Sequence, residues 1–81
     1  YRELALIKVG ANHENRAEII EIANIFRTHI VDVSKEVLIL EATGDQGKIK
    51  ALTEMLQPYG IKEIVRTGLT ALQRGENELK N

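Results

Sequence analysis

Two segments of this chain are apolar at odd and even positions alike. They are Leu4-Ala5-Leu6-Ile7-Lys8-Val9 and Val37-Leu38-Ile39-Leu40-Glu41-Ala42-Thr43. Side chains alternate between the two faces of a strand, so a segment apolar on both parities belongs inside a sheet with cover on both faces. Each segment is followed by a helical pattern. After the first, Ile19, Ile22, Ala23 and Phe26 recur at i, i+3, i+4 and i+7, which predicts a helix from about Asn15 to Arg27. Asn15 is its expected N-cap, with Glu18 placed as in a capping box. After the second, Ile49, Leu52 and Leu56 space another helix, with Asp45 as its cap and Pro58-Tyr59-Gly60 as its stop. The β-branched run Ile30-Val31-Asp32-Val33-Ser34 and the segment Ile61–Thr67 supply two further strands.

The element order is therefore βαββαβ. Two crossovers joined by a hairpin give an α+β, ferredoxin-like two-layer sandwich: an antiparallel four-stranded sheet with two helices on one face. In that topology the first and third strands lie in the middle, in agreement with their apolar character. Leu4 and Leu6 point away from Ala5, Ile7 and Val9. One set faces the helices, and the other makes the open sheet face apolar, which predicts association with another surface. The domain is expected to span residues 1–75, with Gly68 ending the last strand and a helical turn at Leu69–Arg74. Residues 76–81 form a polar, flexible tail. Because the chain begins at Tyr1 beside a strand pattern, it is expected to be a piece of a longer protein.

Composition removes several function classes. Lys plus Arg total 11 and Asp plus Glu total 12, a net charge of −1, which gives no pull toward nucleic acid or anionic lipid. An RNA-binding module of this topology stacks bases on aromatics of its central strands, and these have none. Cysteine is absent, which excludes disulfides, thiolate metal sites and cysteine nucleophiles. No apolar run approaches the roughly 18 residues of a membrane span.

The chemistry of a catalytic site is also missing. His13 and His29 flank one helix and lack the three or four converging ligands of a zinc centre. Gly44-Asp45-Gln46-Gly47-Lys48 has two residues between its glycines where a phosphate loop has four, and Ile49 follows the lysine instead of Ser or Thr. Asp32 and Glu41 lie on neighbouring strands without a mark of burial, and Ser34 has no placeable triad partners. No catalytic, cofactor-binding or metal-binding residue is assigned on this chain.

A resemblance adds to this. Arg2-Glu3-Leu4-Ala5-Leu6-Ile7-Lys8-Val9, Arg16-Ala17-Glu18-Ile19, Ile25-Phe26-Arg27 and Ile30-Val31-Asp32-Val33 occur in order. They are followed by Thr43-Gly44-Asp45, Lys48-Ile49, Tyr59-Gly60-Ile61, Glu63-Ile64-Val65-Arg66-Thr67-Gly68, Ala71-Leu72 and Arg74-Gly75. Together they resemble the C-terminal domain of the small, regulatory subunit of acetolactate synthase (acetohydroxyacid synthase). The resemblance implies an ACT domain upstream that binds valine or a related amino acid at a homodimer interface. It also implies a catalytic large subunit as partner, which holds thiamine diphosphate, FAD and Mg, so that none of these cofactors sits here. The implied role is activation and feedback control of branched-chain amino acid synthesis, in bacterial cytoplasm or in an organelle. Arg27, Asp32 and Arg66 are the polar residues of the resembling segments taken as candidate subunit-interface contacts, with Arg27 or Arg66 as a possible salt-bridge partner of Asp32.

Two other classes remain open at this point. An acyl-phosphate hydrolase on the same scaffold would need an arginine and an amide converging at a loop, for which Asn12, Asn15, Arg16 and Arg66 are the nearest residues. A free-standing amino-acid sensor would need a crevice between paired domains.

Overall fold

The computed structural model describes residues 2–67. The expectations for Gly68, for the turn at Leu69–Arg74 and for the tail lie outside the described residues. Strand β1 (Glu3–Gly10) leads to helix α1 (Arg16–Ile25), and β2 (His29–Val33) turns into β3 (Val37–Gly44). Helix α2 (Gln46–Leu56) and a 3-10 turn (Gln57–Tyr59) precede β4 (Ile61–Arg66). The sheet order is β2-β3-β1-β4, antiparallel throughout, so the two doubly apolar strands are central as expected.

Ala5, Ile7 and Val9 of β1 and Leu38, Leu40 and Ala42 of β3 are fully buried. They join Ile19, Ile22 and Ala23 of α1 and Ile49, Leu52 and Leu56 of α2 in one core. Each large aliphatic side chain so buried contributes about 1.5–3 kcal/mol relative to exposure. The opposite parity, with Leu4, Leu6 and Ile39, faces away from the helices.

The helix ends differ in how they obey the sequence. Asp45 caps α2, its carboxylate accepting from the Lys48 N–H at 2.8 Å. Asn15 does not cap α1 with its side chain. Its side-chain oxygen accepts from the Asn12 N–H, while the Asn12 side chain accepts from the N–H groups of Glu14 and Asn15, all at 2.8 Å. The Arg16 N–H donates to the Asn12 carbonyl, so an extra turn starts at Asn12 and takes the capping role three residues early. Glu18 is no capping-box partner; its carboxylate accepts from the Tyr59 hydroxyl at 2.8 Å, tying α1 to the turn after α2.

Among the described residues two positions carry positive φ. Gly60 (φ 93°) ends the 3-10 turn, and its carbonyl accepts from Gly10 N–H at 2.8 Å, docking the turn on β1. Arg27 (φ 56°) follows the last turn of α1. Edge strand β2 is broken by a bulge: Ile30 lies opposite Leu40 and Asp32 opposite Ile39, which leaves Val31 unmatched.

Candidate interaction surfaces

The open sheet face is built by register. One row across the four strands reads Val65, Leu6, Glu41, His29, and the next reads Glu63, Lys8, Ile39, Asp32. Leu6 is 37% exposed and Val65 51% exposed. Leu4 and Ile39 are half-buried beside them. The expected apolar open face is thus present as an aliphatic centre between β1, β3 and β4, set among polar residues: Lys8 stands across from Glu63 and His29 across from Glu41.

The helix face has a second feature that the sequence did not disclose. Helix α2 does not cover edge strand β4, and a groove of about 410 Å³ lies between them, lined by Gln46, Lys50, Thr53, Glu54, Ile64 and Arg66. Its hint in the sequence is that Ile64 and Val65 are adjacent aliphatics of opposite parity, on a strand that is an edge of the sheet among the described residues.

Arg66 does not pair with Asp32, because β4 and β2 are opposite edges of the sheet. It forms a two-point ion pair with Glu3 of β1, Nε to Oε1 at 2.9 Å and Nη2 to Oε2 at 2.7 Å. The Glu3 side chain is almost fully buried. The Arg66 guanidinium, hydrogen-bonded to it, holds the Glu3 carboxyl below its ordinary pKa, and Glu3 in turn raises Arg66. Next to this clasp, Leu4 N–H donates to the Thr67 hydroxyl at 3.1 Å and Thr67 N–H to the Leu4 carbonyl at 3.0 Å. Asp32 accepts from the N–H of its neighbour Val33 at 3.0 Å, and among the described residues the one ion pair is Glu3–Arg66. Arg27 is exposed at the end of α1.

The groups an acyl-phosphate hydrolase would use are committed elsewhere. Arg16 Nη2 donates to the carbonyls of Ser34 and Lys35, both at 2.7 Å, and stitches the β2–β3 turn to the start of α1. Asn12 and Asn15 are occupied with each other, and Arg66 with Glu3. Lys48 Nζ donates to the Thr43 carbonyl at 2.9 Å, its stem lying where a side chain on Gly44 would stand. The start of α2 is thus filled by Asp45 and Lys48 rather than open to an anion. Among the described residues no three His, Cys, Asp or Glu side chains converge as metal ligands. Among them, too, no helix is long and apolar enough to cross a membrane.

The family model for the small subunit of acetolactate synthase matches residues 2–75. The chain belongs to the acetolactate synthase small-subunit family. It is 51% identical over 74 residues to the acetolactate synthase small subunit of Mycobacterium bovis, covering 91% of this chain and 44% of that protein. It is 52% identical over 77 residues to that of Bacillus subtilis, covering 95% and 45%. The probable small subunit of the archaeon Archaeoglobus fulgidus is 51% identical over 77 residues, covering 95% and 48%. A crystal structure of the small subunit from Thermotoga maritima superposes with TM-score 0.75 at 43% identity, over 83% of this chain and 41% of that one. The chain thus spans less than half the length of the small subunits it matches.

Proposed function

We propose that this domain belongs to the non-catalytic regulatory subunit of acetolactate synthase and works by protein contact. It binds the catalytic large subunit, raises its activity and helps transmit feedback from a branched-chain amino acid such as valine. The observation that carries this is the match of the small-subunit family model to residues 2–75. Two structural features support it: the aliphatic open sheet face, and the commitment of Arg16, Lys48 and Arg66 to structural partners.

The mechanism is a population shift. A subunit that binds the active state of its partner better than the inactive one raises activity by that difference in affinity, without touching substrate. In this proposal an ACT domain elsewhere in the subunit holds the amino acid at a homodimer interface, and this domain relays its state. Thiamine diphosphate, FAD and Mg act on the catalytic subunit, and the compartment is the bacterial cytoplasm or, in a eukaryote, an organelle. Arg27 and Asp32 are candidate contacts, as is the exposed part of Arg66.

The test mixes the full-length protein carrying this domain with purified catalytic subunit and follows acetolactate formation from pyruvate, with and without valine. The expected result is complex formation, stimulation and valine sensitivity. Failure of the full-length protein to bind the catalytic subunit sinks the proposal.

A further inference from the structure

At the centre of the open sheet face, β1 and β3 set four side chains at the corners of one quadrilateral. Leu6 lies across from Glu41, and Lys8 lies across from Ile39. The two aliphatics therefore share one diagonal and the two opposite charges share the other. Neighbouring strands stand about 4.8 Å apart and alternate residues of a strand about 6.6 Å apart, so the four lie within reach of one facing surface. A two-fold interface requires a patch that is complementary to itself, and this arrangement can be tested for that property.

Consider a second copy laid face to face on the first, with the axis through this centre. An axis along the strands or across them sets Leu6 against Glu41 or Lys8 of the other copy. An axis along the Lys8–Glu41 diagonal sets each charge against its own kind. An axis along the Leu6–Ile39 diagonal sets Leu6 on Leu6 and Ile39 on Ile39, with Lys8 of each copy against Glu41 of the other. Only this last placement matches apolar with apolar and charge with opposite charge. The margins follow from the same rotation: Val65 comes onto Leu4 of the other copy, and Glu63 comes beside His29. The strands of the two sheets then cross at roughly 70°, near the orthogonal class of sheet packing. Four strands, each showing about 20 Å of length, give a projected face of roughly 400 Å² per copy, the size of a weak, reversible interface.

We propose that the open face closes on a second copy of this domain about the Leu6–Ile39 diagonal, through an aliphatic centre and two reciprocal Lys8–Glu41 contacts. This goes beyond the regulatory reading, which requires a partner without fixing what covers this face. The test is rescue in a mixed dimer, using the 81-residue chain, which buries a core of its own. Lys8→Glu sets acid against acid at both contacts of the symmetric pair, and Glu41→Lys sets ammonium against ammonium. In sedimentation equilibrium each variant alone is expected to associate roughly tenfold more weakly than wild type, or worse. Mixed in equal amounts, they form a dimer in which both contacts again join opposite charges, and association returns to near wild-type strength. Mixing cannot repair a damaged fold, so rescue separates an interface from a folding defect. Should either reversal fail to fold, Leu6→Ala adds no charge and should weaken association roughly tenfold, because both copies lose the residue on the axis. A wild-type chain that stays monomeric at millimolar concentration overturns the proposal, as does a mixture no tighter than its components. Reversals that self-associate like wild type but cost the full-length protein its binding to the catalytic subunit assign the face to that partner, and overturn the proposal too.

Discussion

Glu3 occupies the same parity of β1 as Ala5, Ile7 and Val9, the row that faces the helices. An acid in that row is tolerable because Arg66, opposite Ala5 in the register, reaches it with two hydrogen bonds. The pair joins the first residue of β1 to the last of β4. Its pH dependence has a definite sign. The folded-state pKa of Glu3 lies below the ordinary 4.5 of the unfolded chain, so the unfolded state takes up the proton first. The stabilisation is therefore present above that ordinary value and is lost as pH falls through the depressed one. Thermal unfolding of wild type and Glu3→Gln from neutral pH into the acid range isolates this group from the other carboxylates. The wild type should be the more stable at neutral pH and should lose Tm more steeply in acid; parallel profiles would show that the clasp contributes nothing. Sequence alone did not disclose this partner, because pairing it with Arg66 requires the β1–β4 register. Asp32, for which the sequence offered Arg27 or Arg66 as a candidate partner, sits on the edge strand farthest from Arg66.

The elements show which local signals survive packing. Asp45 caps α2 as its spacing to Lys48 predicts, because nothing upstream competes for its carboxylate. Asn15 has the same type of side chain in the same place before α1, but Asn12 lies three residues earlier and captures the N–H groups of Glu14 and Asn15 first. Two asparagines within one turn make the cap ambiguous in sequence, and the hydrogen bond closing at the Asn12 carbonyl decides it. The end of α2 was legible from Pro58 and Gly60, whereas Arg27 carries no compositional sign of a left-handed residue. Gly60 allows the backbone contribution to be measured alone. A Cβ built there meets no atom within 4 Å, so Gly60→Ala introduces strain without a clash. The variant should lose about 1–2 kcal/mol, the cost of a left-handed L-residue, read as a lower urea midpoint at unchanged m. A neutral result would mean that the turn relaxes and that its bond to Gly10 is not what holds β4 in register.

At the scale of the molecule, the strand order was legible because two segments are apolar on both parities, and only central strands accommodate that. Which parity turns inward was also recoverable. Lys8 shares the parity of Leu4 and Leu6, and burying its ammonium beneath the helices would cost far more than leaving two leucines outside. What stayed hidden was how much apolar surface the outward row retains, since that depends on Val65 arriving beside Leu6 from the far end of the chain. Two helices cover one layer, and nothing within residues 2–67 covers the other. If the bare layer is an interface, Leu6→Lys and Val65→Lys will separate folding from association. Val65 is half exposed on an edge strand, so Val65→Lys should change unfolding free energy by no more than about 0.5 kcal/mol, whereas Leu6, 37% exposed on a central strand, should cost about 1–2 kcal/mol as lysine and still leave the domain folded. In the full-length protein the same substitutions should weaken self-association in sedimentation equilibrium or binding to the catalytic subunit in titration. They do so by placing an ammonium where the assembled protein would exclude water; Glu41, directly across from residue 6, offsets part of that cost for Leu6→Lys, so Val65→Lys, which has no carboxylate opposite it, should be the more damaging of the two. Wild-type behaviour of both variants in both measurements would mean that these aliphatics are ordinary wet surface, and the contact would have to be sought at the Arg27 edge or at the groove beside β4.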